Sequence, residues 1–136
     1  MNLSNDVEYS IALYLFGVEL NPDIVSESVG IICDHSFKKG DFYGRGKEYR
    51  KSGMWRFTAM SDGKSLSEQF DSIYSLIPKH LRPISNIEGV EDGRISLRLN
   101  ESVPIDPFEI VLDLDDIKKI DEIGVQFYLT YFKNDD

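Results

Sequence analysis

The sequence is poor in cysteine, in basic residues and in long apolar stretches. Cys33 is the single cysteine among 136 residues, so no disulfide can form within the chain, which is typical of a protein from a reducing compartment. Neither a basic leader with an apolar run nor a membrane-length apolar stretch is present, so we predict a cytoplasmic protein without a membrane partner. Lys and Arg number 15 against 24 Asp and Glu, a net charge of −9. This excess of acidic over basic residues argues against nucleic acid as a partner, because a phosphate backbone repels so acidic a chain.

The motifs that would carry catalysis or hold a cofactor are incomplete. Five residues separate Gly40 from Gly46, where a phosphate-binding loop needs four, and Glu48 stands where that loop needs Ser or Thr. The chain has one thiol and two imidazole side chains, those of Cys33, His35 and His80, which are too few ligands for a zinc site. We therefore predict no catalytic residues, no cofactor and no metal, and we expect that the protein is not an enzyme.

What the sequence does contain is enough apolar material for a folded core. Hydrophobic residues make up 41% of the chain, with 8 Phe and 7 Tyr, and the length suits one domain over residues 1–136. Charge is uneven along that domain, since residues 41–65 carry a net charge of +3 and residues 101–136 carry −7. The acidic segment would attract a basic partner.

Alternation and capping signals predict four strands and three helices. The strands are expected at 9–18, 54–60, 94–99 and 125–132, where β-branched and aromatic residues are frequent. The helix signals are Asn21-Pro22 with a stop at Gly30, a capping box at Ser65-Leu-Ser-Glu68, and Asp113 or Asp115 with a stop at Gly124. Residues 33–53 are Gly-rich and basic, which indicates a loop or a twisted hairpin, and 108–112 are expected to be extended. The order is β-α-(loop)-β-α-β-α-β.

This order predicts an α+β fold, a mainly antiparallel sheet of four to six strands with two or three helices packed on one face. The apolar stripe Phe70, Ile73 and Ile77 is expected to pack against Ile11, Leu13 and Leu15. In the last helix, the side chains expected to face inward are Ile117, Ile120 and Ile123.

Several short motifs together resemble the bacterial family named domain of unknown function 4279. The motifs are Asn21-Pro22-Asp23-Ile24, Val29-Gly30, Lys39-Gly40-Asp41, Gly53-Met54-Trp55-Arg56-Phe57, the Ser65–Ile77 helix and Ile123-Gly124-Val125. The resemblance implies a compact α+β domain without known catalytic residues. It also implies an immunity-type role, in which a cytosolic antitoxin neutralises a bacterial toxin by direct protein–protein contact.

Two surfaces are candidates for binding that partner, which we expect to be a basic protein toxin domain. One is the acidic run Asp113, Asp115, Asp116, Asp121 and Glu122. The other is the aromatic set on the sheet face away from the helices, Tyr14, Phe16, Tyr128 and Phe132. Two structural alternatives stay open for the aromatic set, since loop 33–53 or a second copy in a homodimer would also cover it. A different function, binding of a small ligand or nucleic acid, would use the basic aromatic segment 37–56.

Overall fold

Seven strands and three α-helices occur in the part of the chain that the computed structural model describes, residues 8–44, 48–60, 64–101 and 110–133. The strands are β1 (Glu8–Gly17), β2 (His35–Phe37), β3 (Phe42–Tyr43), β4 (Glu48–Tyr49), β5 (Gly53–Thr58), β6 (Asp92–Glu101) and β7 (Gln126–Lys133). The helices are α1 (Pro22–Val29), α2 (Leu66–Leu76) and α3 (Leu114–Ile123), and two 3₁₀ turns lie at Lys79–Leu81 and Ile84–Asn86. Within these ranges, no helix combines the length and the apolar character that crossing a bilayer requires.

Five strands form one sheet in the order β2-β5-β1-β6-β7, so β1 is central. Every neighbouring pair is antiparallel except β6 and β7, which are parallel. Helix α3 lies between these two strands in the chain, and a parallel pair needs such a crossover connection. Strands β3 and β4 pair with each other in a small separate sheet. The predicted α+β class with a mainly antiparallel sheet is confirmed.

The three helices begin at the predicted capping residues, and α1 and α3 end at the predicted glycines. The Asn21 side chain accepts a backbone hydrogen bond at the start of α1, and Gly30 ends that helix with a φ of 82°. Ser65 and Glu68 form the predicted capping box of α2. Gly124 ends α3 with a φ of 79°, a left-handed conformation that glycine adopts without a steric penalty.

The core lies on one face of the sheet, where all three helices pack. Helix α2 contributes Phe70 and Ile73 to this core, and Ile77 follows directly after the helix. Their partners on β1 are the alternating side chains Ile11, Leu13 and Leu15, all fully buried. Helices α1 and α3 add Val25 and Ile123 to the same cluster. The predicted packing of the α2 stripe on this face of β1 is confirmed.

Segment 33–53 contains more structure than a loop. Strand β2 extends the main sheet by pairing with β5, with Ser36 opposite Trp55, while β3 and β4 form the hairpin. The sequence did not reveal β2 because three residues are too few for a visible alternation, and its pairing with β5 depends on contacts distant along the chain.

Helix α3 differs from the prediction at one of the three positions expected to face inward. Ile123 is fully buried and Ile120 is partly buried, but Ile117 is 50% exposed, so the prediction that Ile117 faces inward is wrong. Asp116 occupies the buried position in the first turn instead, because its carboxylate completes the helix cap. The extended piece predicted at 108–112 lies partly outside the described residues, and 110–112 form neither strand nor helix.

Candidate functional site

The sheet has a second face, opposite the three helices, which we call the far face and define by Tyr14, Phe16, Arg56, Arg94 and Tyr128. Strand register brings these residues together, because Tyr14 lies opposite Arg56 on one side and Arg94 on the other. On the other side of β6, Tyr128 lies opposite Ser96, which follows Arg94 by two residues. None of the five belongs to the hydrophobic core, and Tyr128 is 43% exposed. The structure therefore brings together three of the four predicted aromatic residues.

Arg94 is the centre of this aromatic cluster. Its guanidinium carbon lies 4.9 Å from the ring centroid of Tyr14, 5.2 Å from that of Phe16 and 5.1 Å from that of Tyr128. The Tyr14 and Phe16 rings are stacked nearly parallel, with centroids 6.1 Å apart. Cation–π contacts of this kind hold both the rings and the cation in place. Three aromatic rings from β1 and β7 thus surround one cation from β6.

Arg56 extends the polar part of the far face towards the sheet edge. Its Nη2 lies 3.2 Å from Oδ2 of Asp34, and strand register places Arg56 opposite Tyr14. Burial, the largest influence, acts to raise the pKa of Asp34, but hydrogen bonds from Thr58 and Arg56 together hold that pKa below its usual value. Asp34 therefore remains charged at neutral pH and fixes Arg56 beside Tyr14.

The first carboxylates of the acidic run are engaged within helix α3 and its neighbour. Asp113 and Asp116 are the two halves of a capping box, with the Asp113 carboxylate accepting from the Asp116 N–H at 2.9 Å. That backbone hydrogen bond holds the pKa of Asp113 below its usual value. Asp115 lies 3.0 Å from Nζ of Lys119, which also donates to Asp71 of α2. Both hydrogen bonds raise the pKa of Lys119.

The last carboxylates of the run differ from each other. Glu122 accepts from the Tyr74 hydroxyl at 2.6 Å and pairs with Nη1 of Arg82 at 3.0 Å. The Tyr74 hydrogen bond, followed by that from Arg82, lowers the pKa of Glu122. Asp121 is exposed. Four of the five acidic residues therefore stabilise α3 or its contact with the rest of the fold.

The other sequence candidates are Phe132 and segment 37–56, whose Phe37 lies on the same side of the sheet as Phe16 because both are opposite Met54. The side chain of Phe132 is outside the described part of the chain. In segment 37–56, Arg50 lies over the rings of Phe37 and Tyr43 at 3.9 Å and 4.0 Å. Strand β2 lies at the edge of the sheet, beside β5, so β2 itself does not cover Tyr14 and Phe16.

The thiol and imidazole side chains are scattered. Cys33 is partly buried against the core, whereas His35 and His80 are exposed. Among the residues that the structure describes, no three Cys, His, Asp or Glu side chains are grouped as metal ligands would be.

Sequence reasoning named the aromatic residues of the far face but missed its arginines. The missed signal lies in strand alternation: Ile95, Leu97 and Leu99 point into the core, so Arg94 must point to the opposite face. The same argument applies to Arg56, which alternates with Trp55 and faces away from the core with Tyr14.

Comparison with known proteins identifies a family, but it finds no relative of known function or structure. No curated protein and no solved structure matches this chain. The family model described as Domain of unknown function (DUF4279) matches residues 7–132, which is nearly the whole sequence. The chain therefore belongs to the DUF4279 family.

Proposed function

We propose that this protein is a non-catalytic binding protein that engages a partner protein through the far face. The observation that carries the proposal is the clustering of Tyr14, Phe16 and Tyr128 around Arg94, on the side of the sheet opposite the helices. The specific role we propose is that of a cytoplasmic immunity protein, which neutralises a bacterial toxin by direct contact.

The composition of the far face supports a protein as the partner. Tyr, Phe and Arg are enriched in protein–protein interfaces, and Tyr and Arg are frequent among the residues whose truncation costs most binding energy. Aromatic side chains that are already ordered lose little further entropy when a partner covers them. The stacking of Tyr14, Phe16 and Arg94 supplies such order before binding.

The alternative function, ligand or nucleic-acid binding by segment 37–56, has less support. A stacking platform needs free ring faces for bases. Arg50 already occupies one face each of Phe37 and Tyr43, and Phe42 and Tyr49 contact each other edge to face with centroids 5.6 Å apart. These aromatic residues hold the β3–β4 hairpin against β2, which is a structural role.

The acidic run also contributes less to the proposed interface than the far face does. Glu122, Asp113, Asp115 and Asp116 have partners within the chain, so a toxin would compete with those contacts. Rim carboxylates such as Asp121 would act mainly on the association rate with a basic partner.

The test begins with the genomic neighbour of this gene, which we expect to encode a toxin-type domain. That domain is co-expressed in a bacterial host with the wild-type protein or with the double variant Tyr14→Ala, Tyr128→Ala. We expect the wild type to restore growth and the double variant to fail, because both rings lie at the proposed centre of contact. The purified proteins are then compared by titration calorimetry.

Tyr49→Ala is the matched control, since Tyr49 is an exposed tyrosine on β4, outside the far face. It should protect as the wild type does. Equal protection by the double variant, or the absence of any toxin-type neighbour, would contradict the proposal. A homodimer that buries the far face would also contradict it, and sedimentation of the purified chain detects that outcome.

A further inference from the structure

The charge state of the far face indicates what its partner must carry. Arg94 is partly buried among three aromatic rings, and no ion pair among the described residues involves it. Its Nε is fully buried and has no hydrogen-bond acceptor in the described part of the chain. Arg94 is therefore a cation at the middle of an aromatic surface, and no carboxylate of the described residues lies within ion-pair distance of it.

Two other partly buried arginines show the usual arrangement in this protein. Arg56 pairs with Asp34 at 3.2 Å, and Arg82 pairs with Glu122 at 3.0 Å. Both pairs place a carboxylate beside a guanidinium whose access to water the fold reduces. Nε of Arg56 is buried without a hydrogen-bond partner in the described part of the chain, as Nε of Arg94 is, so the two arginines differ in the neighbouring carboxylate. Arg94 has the aromatic contacts instead, which hold the cation without neutralising it.

A partner that covers Tyr14 and Tyr128 must also remove water from Arg94. Burying an unpaired cation is strongly unfavourable, so such a partner binds well only if it brings an anion. A carboxylate suits the planar guanidinium because it can accept two parallel hydrogen bonds.

We propose that the protein partner of the far face presents an Asp or Glu carboxylate to Arg94. This inference rests on the proposed function, and it names the chemistry of the contact. It places an acidic residue at the far-face contact, whereas the expectation of a basic toxin concerned the acidic run of α3. A protein carboxylate is favoured over a nucleic-acid phosphate because the chain carries a net charge of −9, which repels a polyanion far more than one local carboxylate.

The probe is a pair of acetylated, amidated pentapeptides, Gly-Glu-Phe-Glu-Gly and Gly-Gln-Phe-Gln-Gly, titrated at pH 7 into the full-length ¹⁵N-labelled chain. They share an aromatic ring and differ in charge. We expect the Glu peptide to shift the Arg94 Nε–H resonance together with the backbone amides of Tyr14 and Tyr128. We expect it to bind about fivefold or more tightly than the Gln peptide at low salt, with the difference shrinking as salt is added.

Two variants make the assignment specific. Arg94→Gln should abolish the preference for the Glu peptide, whereas Lys118→Gln should keep it, because Lys118 is an exposed cation on α3, on the other side of the sheet. If Arg94→Gln unfolds the chain, Arg94→Lys replaces it. That variant keeps the charge but loses the paired hydrogen bonds, so it should bind the Glu peptide more weakly than the wild type.

Inorganic phosphate and a ten-nucleotide oligothymidylate are titrated into the same labelled chain as the remaining two probes. The inference is overturned if both peptides bind equally, if neither shifts the Arg94 resonance, or if phosphate or the oligonucleotide shifts it more than the Glu peptide does. The growth assay separates the two proposals. Loss of protection with the Tyr14→Ala, Tyr128→Ala variant but full protection with Arg94→Gln would leave the far-face function standing and overturn the carboxylate contact.

Discussion

Trp55 donates its indole N–H to the hydroxyl of Ser26 at 2.9 Å, joining β5 to α1. The Trp55 side chain is fully buried in the core, so this hydrogen bond satisfies a polar atom that water cannot reach. It also fixes the rotation of the short helix α1 on the sheet.

Replacing Ser26 by Ala should therefore leave the Trp55 N–H buried and unpaired. We expect a loss of about 1–3 kcal/mol in the free energy of unfolding, measured by urea denaturation. Ser28→Ala, two residues along the same helix and exposed, is the control and should change stability by less than about 0.5 kcal/mol. If the two variants are equally stable, the hydrogen bond makes no net contribution.

The α2 stripe gives a larger expected effect. Phe70 is fully buried in the shared core, so Phe70→Ala removes apolar contacts and leaves a cavity. We expect a loss of about 3–5 kcal/mol in the free energy of unfolding. Met60→Ala, at a 64% exposed position, should have little effect. An unfolding midpoint that Phe70→Ala leaves unchanged would show that α2 does not pack on β1 as described.

The capping box of α2 predicts a smaller, local effect. Ser65 Oγ accepts from the backbone N–H of Glu68 at 3.1 Å, so Ser65→Ala leaves a donor at the helix start without its partner. We expect a loss of about 0.5–2 kcal/mol in the free energy of unfolding. Ser75→Ala, exposed near the end of the same helix, is the comparison. Equal stability of the two variants would be inconsistent with a stabilising cap.

Acid should weaken the contact between α2 and α3 through Glu122. The Tyr74 hydroxyl and Arg82 make its pKa lower in the folded chain than the ordinary 4.5, so the unfolded chain takes up this proton more readily. The stabilisation is therefore complete above that ordinary value and is lost as the pH falls through the folded pKa. Glu122→Gln should flatten this part of the stability profile, measured as the urea midpoint at several pH values between 3 and 7.

Glu27→Gln serves as the control for that profile, because Glu27 is an exposed carboxylate on α1, distant from Tyr74 in the chain. Its acid dependence should follow that of the wild type. A Glu122→Gln profile as steep as the wild-type profile would mean that the Tyr74 and Arg82 contacts do not stabilise the folded chain.

Local signals were sufficient for most of the secondary structure. The caps at Asn21 and Ser65, the stops at Gly30 and Gly124, and the alternation in 94–99 each depend on residues within one turn or one strand. Such features form from short-range hydrogen bonds and side-chain periodicity, which the sequence states directly. Ile117 was misplaced because a capping carboxylate, Asp116, took the inward position that hydrophobicity alone assigned to a neighbour.

The candidate site was predicted only in part. The sequence identified Tyr14, Phe16 and Tyr128 as aromatic residues on the face opposite the helices, but it did not bring Arg94 among them. That juxtaposition depends on the order and register of β1, β6 and β7, whose pairing residues lie far apart in the chain. Register is a property of the assembled sheet, since a shift of one residue would turn Arg94 to the core.

By itself, the sequence determined the α+β class, the helix limits and the apolar side of each long strand, because propensity, capping and alternation are local. Only the tertiary structure decided that β2 completes the sheet, that β6 and β7 run parallel, and that most carboxylates of α3 are used within the fold. It likewise decided that Arg94 lies amid three rings without a carboxylate from the described chain. The physical reason is that strand pairs and ion pairs form between residues that are close in space. These residues are often distant along the chain, so local sequence patterns do not identify them.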